Sequence, residues 1–456
     1  MSLSSGDLGH LIAATVVLLL AAHLLGGLAV RLRQPRVAGE ILGGLLLGPT
    51  LLGLVAPGWH QALFKDGAAT QTGLGIAYQL GLLLLMYCSG TELRALLSRH
   101  DRRPVLGIAL VGNVVPFLAA LGFLALYDTS RFLGPAGDRI SFGLAFALAI
   151  AVTSIPVISR IMADLGILHT RFARVVLSVA VLEDLVIYVV LNFALARVAA
   201  ANAEASGLLG VLGVQPAGPL GTGYYIVVTL AFFLLPVVAG PGLVQRLADW
   251  PGNLLNRASP IAFQLVFMLA LAGLAAFLGV APIFGALVAG ILAGDLRGRD
   301  LEARQAIAGV ATGVVVPLYF AIVGLRLDLV GAFEPLFFLF LLGFACLVKS
   351  ASCYAGARMV GEGRSGARNL AVALNARGGP GIVLASVVLD AGIIDDRFYT
   401  MLVLLALITS VIAGTWLEAV LKRGRDLMEG KPGDPPAERS SIDPWRRRLS
   451  GLHRLR

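Results

Sequence analysis

Thirteen long apolar runs separated by short polar turns make up most of the chain, at 8–30, 37–55, 74–93, 104–127, 141–163, 173–198, 223–244, 260–278, 281–296, 306–325, 335–357, 367–390 and 398–421. Most are close to the roughly 20 residues that an α-helix needs to cross a bilayer. The pattern therefore predicts an all-α membrane protein with about thirteen transmembrane helices. The first run has no Lys or Arg ahead of it and is followed by Arg31, Arg33 and Arg36, opposite to a cleaved signal peptide, so it is expected to stay as a helix with the N-terminus outside.

Composition agrees with that reading. Of the 456 residues 57% are hydrophobic and only 14% charged, with a mean hydropathy of +0.85. Too little polar surface remains to cover several water-soluble domains, which excludes a soluble enzyme, a coiled coil and a disordered scaffold. Cations sort by side: the turns after odd-numbered runs carry 18 Lys or Arg and those after even-numbered runs six. The positive-inside rule then predicts a multi-pass protein of the cell's inner (plasma) membrane with a cytoplasmic C-terminus. The formal charge of +9 is concentrated in residues 422–456, where ten Lys or Arg face five Asp or Glu. That tail reads as a disordered cytoplasmic end near anionic lipid and not as a nucleic-acid arm.

Repetition is degenerate but ordered. Gly44-Leu45-Leu46-Leu47-Gly48 in the second run echoes Gly290-Ile291-Leu292-Ala293-Gly294 in the ninth, and Gly90-Thr91-Glu92-Leu93 echoes Gly324-Leu325-Arg326-Leu327 at the ends of the third and tenth. An offset of seven runs places the copies in opposite orientation, as in inverted six-helix repeats joined by a seventh connector, a pattern common in secondary transporters.

Charge inside apolar runs is costly, about 2.5 to 3.5 kcal/mol per residue at mid-membrane on the lenient scale. Glu183 and Asp184 stand side by side in the sixth run, where they require a partner, a watery cavity or protonation; a solvated helix end is the alternative. Lys349, one of four lysines, lies in the eleventh. A buried lysine can change charge where arginine cannot, although snorkelling to the interface would also place it there. The fifth run contains Ala151-Val152-Thr153-Ser154-Ile155-Pro156 and the twelfth Asn375-Ala376-Arg377-Gly378-Gly379-Pro380-Gly381, seven runs apart. Both are expected to break their helices, freeing backbone groups that survive only beside a cavity. Arg377 would compensate half-helix C-termini, while Thr153 and Ser154 could help ligate a cation. A kinked proline helix is the bland reading of either break. Glu40 is expected at the interface and His23 in helix packing. Cys88, Cys346 and Cys353 have no metal spacing, and no phosphate-binding, haem or nucleophile–base motif occurs, so neither a cofactor nor an ATP-driven step is expected.

At these residues the chain resembles the second branch of the cation/proton antiporter superfamily, which includes glutathione-gated potassium efflux systems and bacterial sodium/proton antiporters. The stretch from Gln34-Pro35-Arg36 through Gly39-Glu40-Ile41 to Gly48-Pro49 is similar to the family's opening motif. Thr153-Ser154, the acid pair, Pro317-Leu318-Tyr319-Phe320, Lys349 and Arg377-Gly378-Gly379 follow in family order. The resemblance implies a homodimer in the bilayer, two crossed discontinuous helices, and an elevator-like core (about 104–198 and 335–421) moving against a dimer scaffold (about 8–93 and 260–325) within a membrane domain spanning 1–421. It implies that Asp184 binds the transported monovalent cation, sodium or potassium, or a proton, and that Lys349 pairs with Glu183. Glutamate at 183 departs from the aspartate, asparagine or glutamine found there in the family. The short tail departs from gated systems that carry a nucleotide-binding regulatory domain. Export of an organic ion on the same architecture, or a non-transporting membrane sensor, are the alternatives.

Overall fold

The computed structural model describes residues 4–428 apart from 33, 66, 97–101, 169, 202–207, 209–210, 212–218, 241, 295 and 332. Among the described residues the chain is helical, with a single isolated bridge between Leu133 and Ile394. The principal helices are α1 (Ser5–Arg31), α2 (Arg36–Leu47), α3 (Ala68–Leu96), α4 (Arg102–Leu126), α5 (Arg139–Ala151), α6 (Ile155–Asp164), α7 (Arg171–Ala201) and α8 (Pro219–Ala239). They continue as α9 (Pro260–Phe277), α10 (Pro282–Ala293), α11 (Arg299–Val310), α12 (Val316–Leu325), α13 (Pro335–Met359), α14 (Arg364–Ala373), α15 (Gly378–Asp390) and α16 (Asp396–Lys422). Helix is the form that satisfies every backbone group inside its own segment, which hydrocarbon demands.

Ten segments among the described residues are long and apolar enough to cross a bilayer. Three apolar helices are shorter: Arg139–Ala151, Gly223–Pro236 and Pro282–Ala293. A 12-residue helix such as α10 rises only about 18 Å, less than the hydrocarbon thickness. Its limits are local, because Pro282 opens its first turn and the chain turns off at Gly294.

Glycine decides which helices cross most closely. A Cβ on Gly44 of α2 would lie 1.8 Å from Ala321 O of α12, and one on Gly324 of α12 would lie 2.0 Å from Ile41 O of α2. Gly90 of α3 and Gly290 of α10 stand in the same relation, with distances of 2.2 Å to Leu287 O and 2.0 Å to Tyr87 O. Only helices without a side chain at the crossing approach so far. The four glycines are those paired by the two sequence echoes, so the contact of Gly44 with α12 is repeated by the contact of Gly290 with α3.

A second cluster of helices, α4 to α7 and α13 to α16, is tied at both ends. At one end Gly134 N and Ala136 N donate to Ile393 O (3.1 Å) and Gly392 O (2.9 Å), joining the α4–α5 loop to the α15–α16 turn. At the other, Arg171 at the start of α7 pairs with buried Glu362 between α13 and α14, at 2.8 Å. Most of the basic tail, residues 429–456, lies outside the described residues. Its first residues are not free chain: Leu427 is buried, and its carbonyl accepts from Asn369 Nδ2 at 2.9 Å.

Candidate cation and proton site

Both runs are interrupted within or beside the stretches expected to unwind, just ahead of their prolines and glycines. Helix α5 ends at Ala151, Val152 to Ser154 are unwound, and α6 restarts at Ile155 with Pro156 in its first turn. Likewise α14 ends at Ala373, Leu374 to Arg377 are unwound, and Gly378, Gly379, Pro380 and Gly381 form the first turn of α15. Proline fits a first turn because the missing N–H would have had no helical partner there. The side chain of Pro156 lies outside the described residues. Gly378 is required for another reason: its φ is +31°, and a Cβ would stand 2.3 Å from Val157 Cγ2.

The two unwound stretches meet. Ser154 N donates to Ala376 O at 2.7 Å, Thr153 Oγ1 donates to Leu374 O at 2.6 Å, and Gly379 N donates to Ser154 Oγ at 3.1 Å. Ser154 Oγ also caps α6 by accepting from Val157 N. The Ser154 oxygen thus already serves two backbone donors in this arrangement.

The carbonyls left at the end of α5 are taken by two buried cations. Arg377, 1% exposed, donates from Nε to Ala149 O (3.0 Å) and from one terminal nitrogen to Ile150 O (2.9 Å) and Ala345 O (3.1 Å). Its other terminal nitrogen reaches Asn375 O and Oδ1. Lys349, wholly buried near the middle of α13, donates to Ala151 O (2.5 Å), Gly112 O (3.0 Å) and Glu183 Oε2 (2.8 Å). Its three N–H groups are therefore all used, and the ammonium turns inward instead of snorkelling. Positive groups also suit the negative end of the α5 dipole.

Glu183 and Asp184 sit near the middle of the 31-residue α7. Glu183 is 0% exposed and meets Lys349 through one oxygen, while Oε1 has no hydrogen-bond partner and would be 3.3 Å from a Cβ at Gly112. Asp184 is 2% exposed and its Oδ1 also lacks a partner; Tyr188, 2% exposed, lies one turn further along the same helix. Lys349 is bonded to Glu183 and Arg377 to backbone carbonyls and Asn375, so neither buried cation is paired with Asp184. Its charge can be met by a proton or by a small cation entering at Asp184.

The sequence assigns no role to Gly112 or Tyr188, and places Asn375 in a break without marking its side chain as a partner of Arg377. Gly112 contributes a carbonyl from an unremarkable apolar run, whereas Tyr188 carries a readable signal, since position i+4 shares a helix face with Asp184. Glu40 differs from expectation: it is 3% exposed, paired with Arg36 at 3.0 Å, and Arg36 reaches His23 Nδ1 at 2.7 Å. Helix α1 covers it at Gly26, where a Cβ would be 3.2 Å from Glu40 Cγ.

Residues 16–423 match the transmembrane sodium/hydrogen exchanger family, nearly the whole membrane region. The chain belongs to the sodium/hydrogen exchanger family. The chain is 25% identical over 404 residues to the Na(+)/H(+)-K(+) antiporter GerN of Bacillus cereus, covering 88% of this chain and 94% of that protein. It is 26% identical over 409 residues to the Na(+)/H(+) antiporter NhaS4 of Synechocystis sp., with 88% and 95% covered. The K(+)/H(+) antiporter 1 of Saccharomyces cerevisiae is 26% identical over 423 residues, 90% of this chain and 46% of that protein. The chain thus spans about half the length of the yeast and Arabidopsis thaliana relatives it matches. Its fold is that of the sodium/proton antiporter MjNhaP1 of Methanocaldococcus jannaschii, with a TM-score of 0.60 at 13% identity, 91% of this chain and 97% of that one being covered. The chain is therefore a multi-pass membrane protein of a monovalent cation/proton antiporter family.

Proposed function

We propose that the protein trades a monovalent cation, sodium or potassium, for protons by alternating access at Asp184. The observation that carries this reading is the buried Asp184 carboxyl with an unpartnered oxygen, next to a glutamate that already holds the local lysine. A bare carboxylate there is penalised, and a proton or a cation relieves the penalty equally by sign. The two occupants then compete for one site, and a core that moves only when the acid is neutralised couples their fluxes without further machinery. Relatives named for sodium, for potassium and for both support the substrate class.

The same reading takes the thirteen apolar runs as thirteen spans in two inverted six-helix halves. The reciprocal glycine crossings and the meeting of the two unwound stretches support it. Helices α4 to α7 and α13 to α16 would be the moving core, and α1 to α3 with α9 to α12 a dimer-forming scaffold. The N-terminus would lie outside and the C-terminus in the cytoplasm. Purified protein in liposomes carrying a pH-sensitive dye tests the proposal: sodium or potassium addition should release trapped protons, and Asp184→Asn should abolish the signal. Full exchange by Asp184→Asn would overturn it.

A further inference from the structure

We infer that Tyr188 is a direct ligand of the transported cation and sets which cation is preferred. This rests on Asp184 being the exchange site. Tyr188 follows Asp184 by one helical turn, so the two side chains leave α7 on one face, away from the Lys349 contact that occupies Glu183. The tyrosine is 2% exposed and stands one helical turn from Asp184 on the same face of α7. Other hydroxyls near the break are committed: Thr153 donates to Leu374 O, and Ser154 accepts from Gly379 N and Val157 N. The phenol is the neutral side-chain oxygen on the Asp184 face of α7 that none of these backbone groups occupies.

The exchange of roles is simple. With no cation, the phenol O–H can donate to the carboxylate. When a cation binds Asp184, the hydroxyl rotates, its proton turns away from the ion, and a phenol lone pair faces the cation. The ring limits how far the oxygen can follow a larger or smaller ion. It packs against Phe284 of α10 with centroids 5.4 Å apart, and Phe284 in turn meets Phe233 of α8 at 5.4 Å edge-on. Tyr188 therefore links α7 at the acid to helices outside the crossed pair, and the packing of its ring restricts how far the oxygen can move. A site so restricted discriminates among alkali cations by size.

Tyr188→Phe deletes the oxygen and keeps the ring. At fixed pH the apparent KM for the preferred cation should rise about ten-fold, the loss expected for one hydrogen-bond-strength contact to a charged group, while the maximal rate stays within about two-fold. The ratio of KM values across lithium, sodium, potassium and rubidium should flatten. Cation-dependent thermal stabilisation of the detergent-solubilised protein should weaken in parallel, which reads binding without transport. Phe284→Leu keeps the oxygen but loosens the packing of the ring, and should broaden the cation selectivity with a smaller rise in KM than Tyr188→Phe. Unchanged KM values and unchanged selectivity in Tyr188→Phe would overturn the inference, as would a fall in maximal rate alone. If Asp184→Asn still exchanges, the site itself is wrong; if only Asp184→Asn is inactive and Tyr188→Phe is normal, the tyrosine role alone fails.

Discussion

Lys349 Nζ stands 2.8 Å from Glu183 Oε2 with both side chains fully removed from the surface. Cutting one partner from such a pair leaves an uncompensated charge, a loss of about 3 to 5 kcal/mol. Lys349→Ala is expected to lower the thermal midpoint strongly in detergent, and the joint replacement Lys349→Met with Glu183→Leu to recover most of it, because both charges then disappear together. In liposomes Lys349→Ala should also alter the pH profile or the ion-to-proton ratio, since Glu183 becomes free to take up a proton during the cycle. A single variant with unchanged stability, profile and ratio would contradict the pairing.

Arg377 predicts a different pattern, because its value lies in geometry as well as charge. One guanidinium spans Ala149 O, Ile150 O, Ala345 O and Asn375, a spread that a single ammonium cannot reproduce. Arg377→Lys should therefore orphan at least one buried carbonyl, at about 1 to 3 kcal/mol, and depress exchange despite keeping the charge. Parent-like unfolding temperature and exchange rate in Arg377→Lys would show that charge alone suffices.

Much of this organisation is legible in the sequence, and the reasons for the remainder are physical. Apolar length and charge asymmetry report on each helix separately, so the helical runs and the oddity of Glu183, Asp184 and Lys349 stand out without a fold. Contacts between distant segments leave no such trace. Nothing in the spacing says that Ala149 and Ile150 would offer their carbonyls to Arg377, or that Gly112 would lend one to Lys349. Glu40 lies near a span end, and only the packing of α1 at Gly26 makes it buried. Within each break the proline and glycines stand in the first turn of the following helix, because they disfavour a helix interior but suit its start, so the unwinding precedes them.

The glycine crossings give a test that is independent of transport. Adding one methyl at Gly44, Gly90, Gly290 or Gly324 places a Cβ between 1.8 and 2.2 Å from a backbone oxygen, which cannot rotate away. Each Gly→Ala variant should lose at least about 1 to 3 kcal/mol or fail to reach the membrane folded. Gly27→Ala, with no atom within 4 Å, is the control and should be neutral or slightly stabilising through helix propensity. Fluorescence-detected size exclusion across a temperature ramp distinguishes them, and four tolerated substitutions would mean that the helices do not cross at these points.

Asp138, outside the membrane segments, links stability to pH. Its carboxylate caps α5 through Ile140 N and Ser141 N, accepts from Ser141 Oγ at 2.6 Å and meets Arg197 Nε at 3.2 Å. Partial burial pushes the carboxyl up, but the hydrogen bonds from Ser141 and Arg197 outweigh it and hold the group below the ordinary 3.8. A group depressed in the folded state contributes stability above its unfolded value and loses it as pH falls through the folded one. Asp138→Ala should therefore cost about 1 kcal/mol near neutral pH, mostly as a lost cap. The gap between variant and parent midpoints should narrow below about pH 4, once the parent carboxylate is itself protonated. A gap that stays constant down to pH 3 would assign the loss to the side chain's shape and not to its charge.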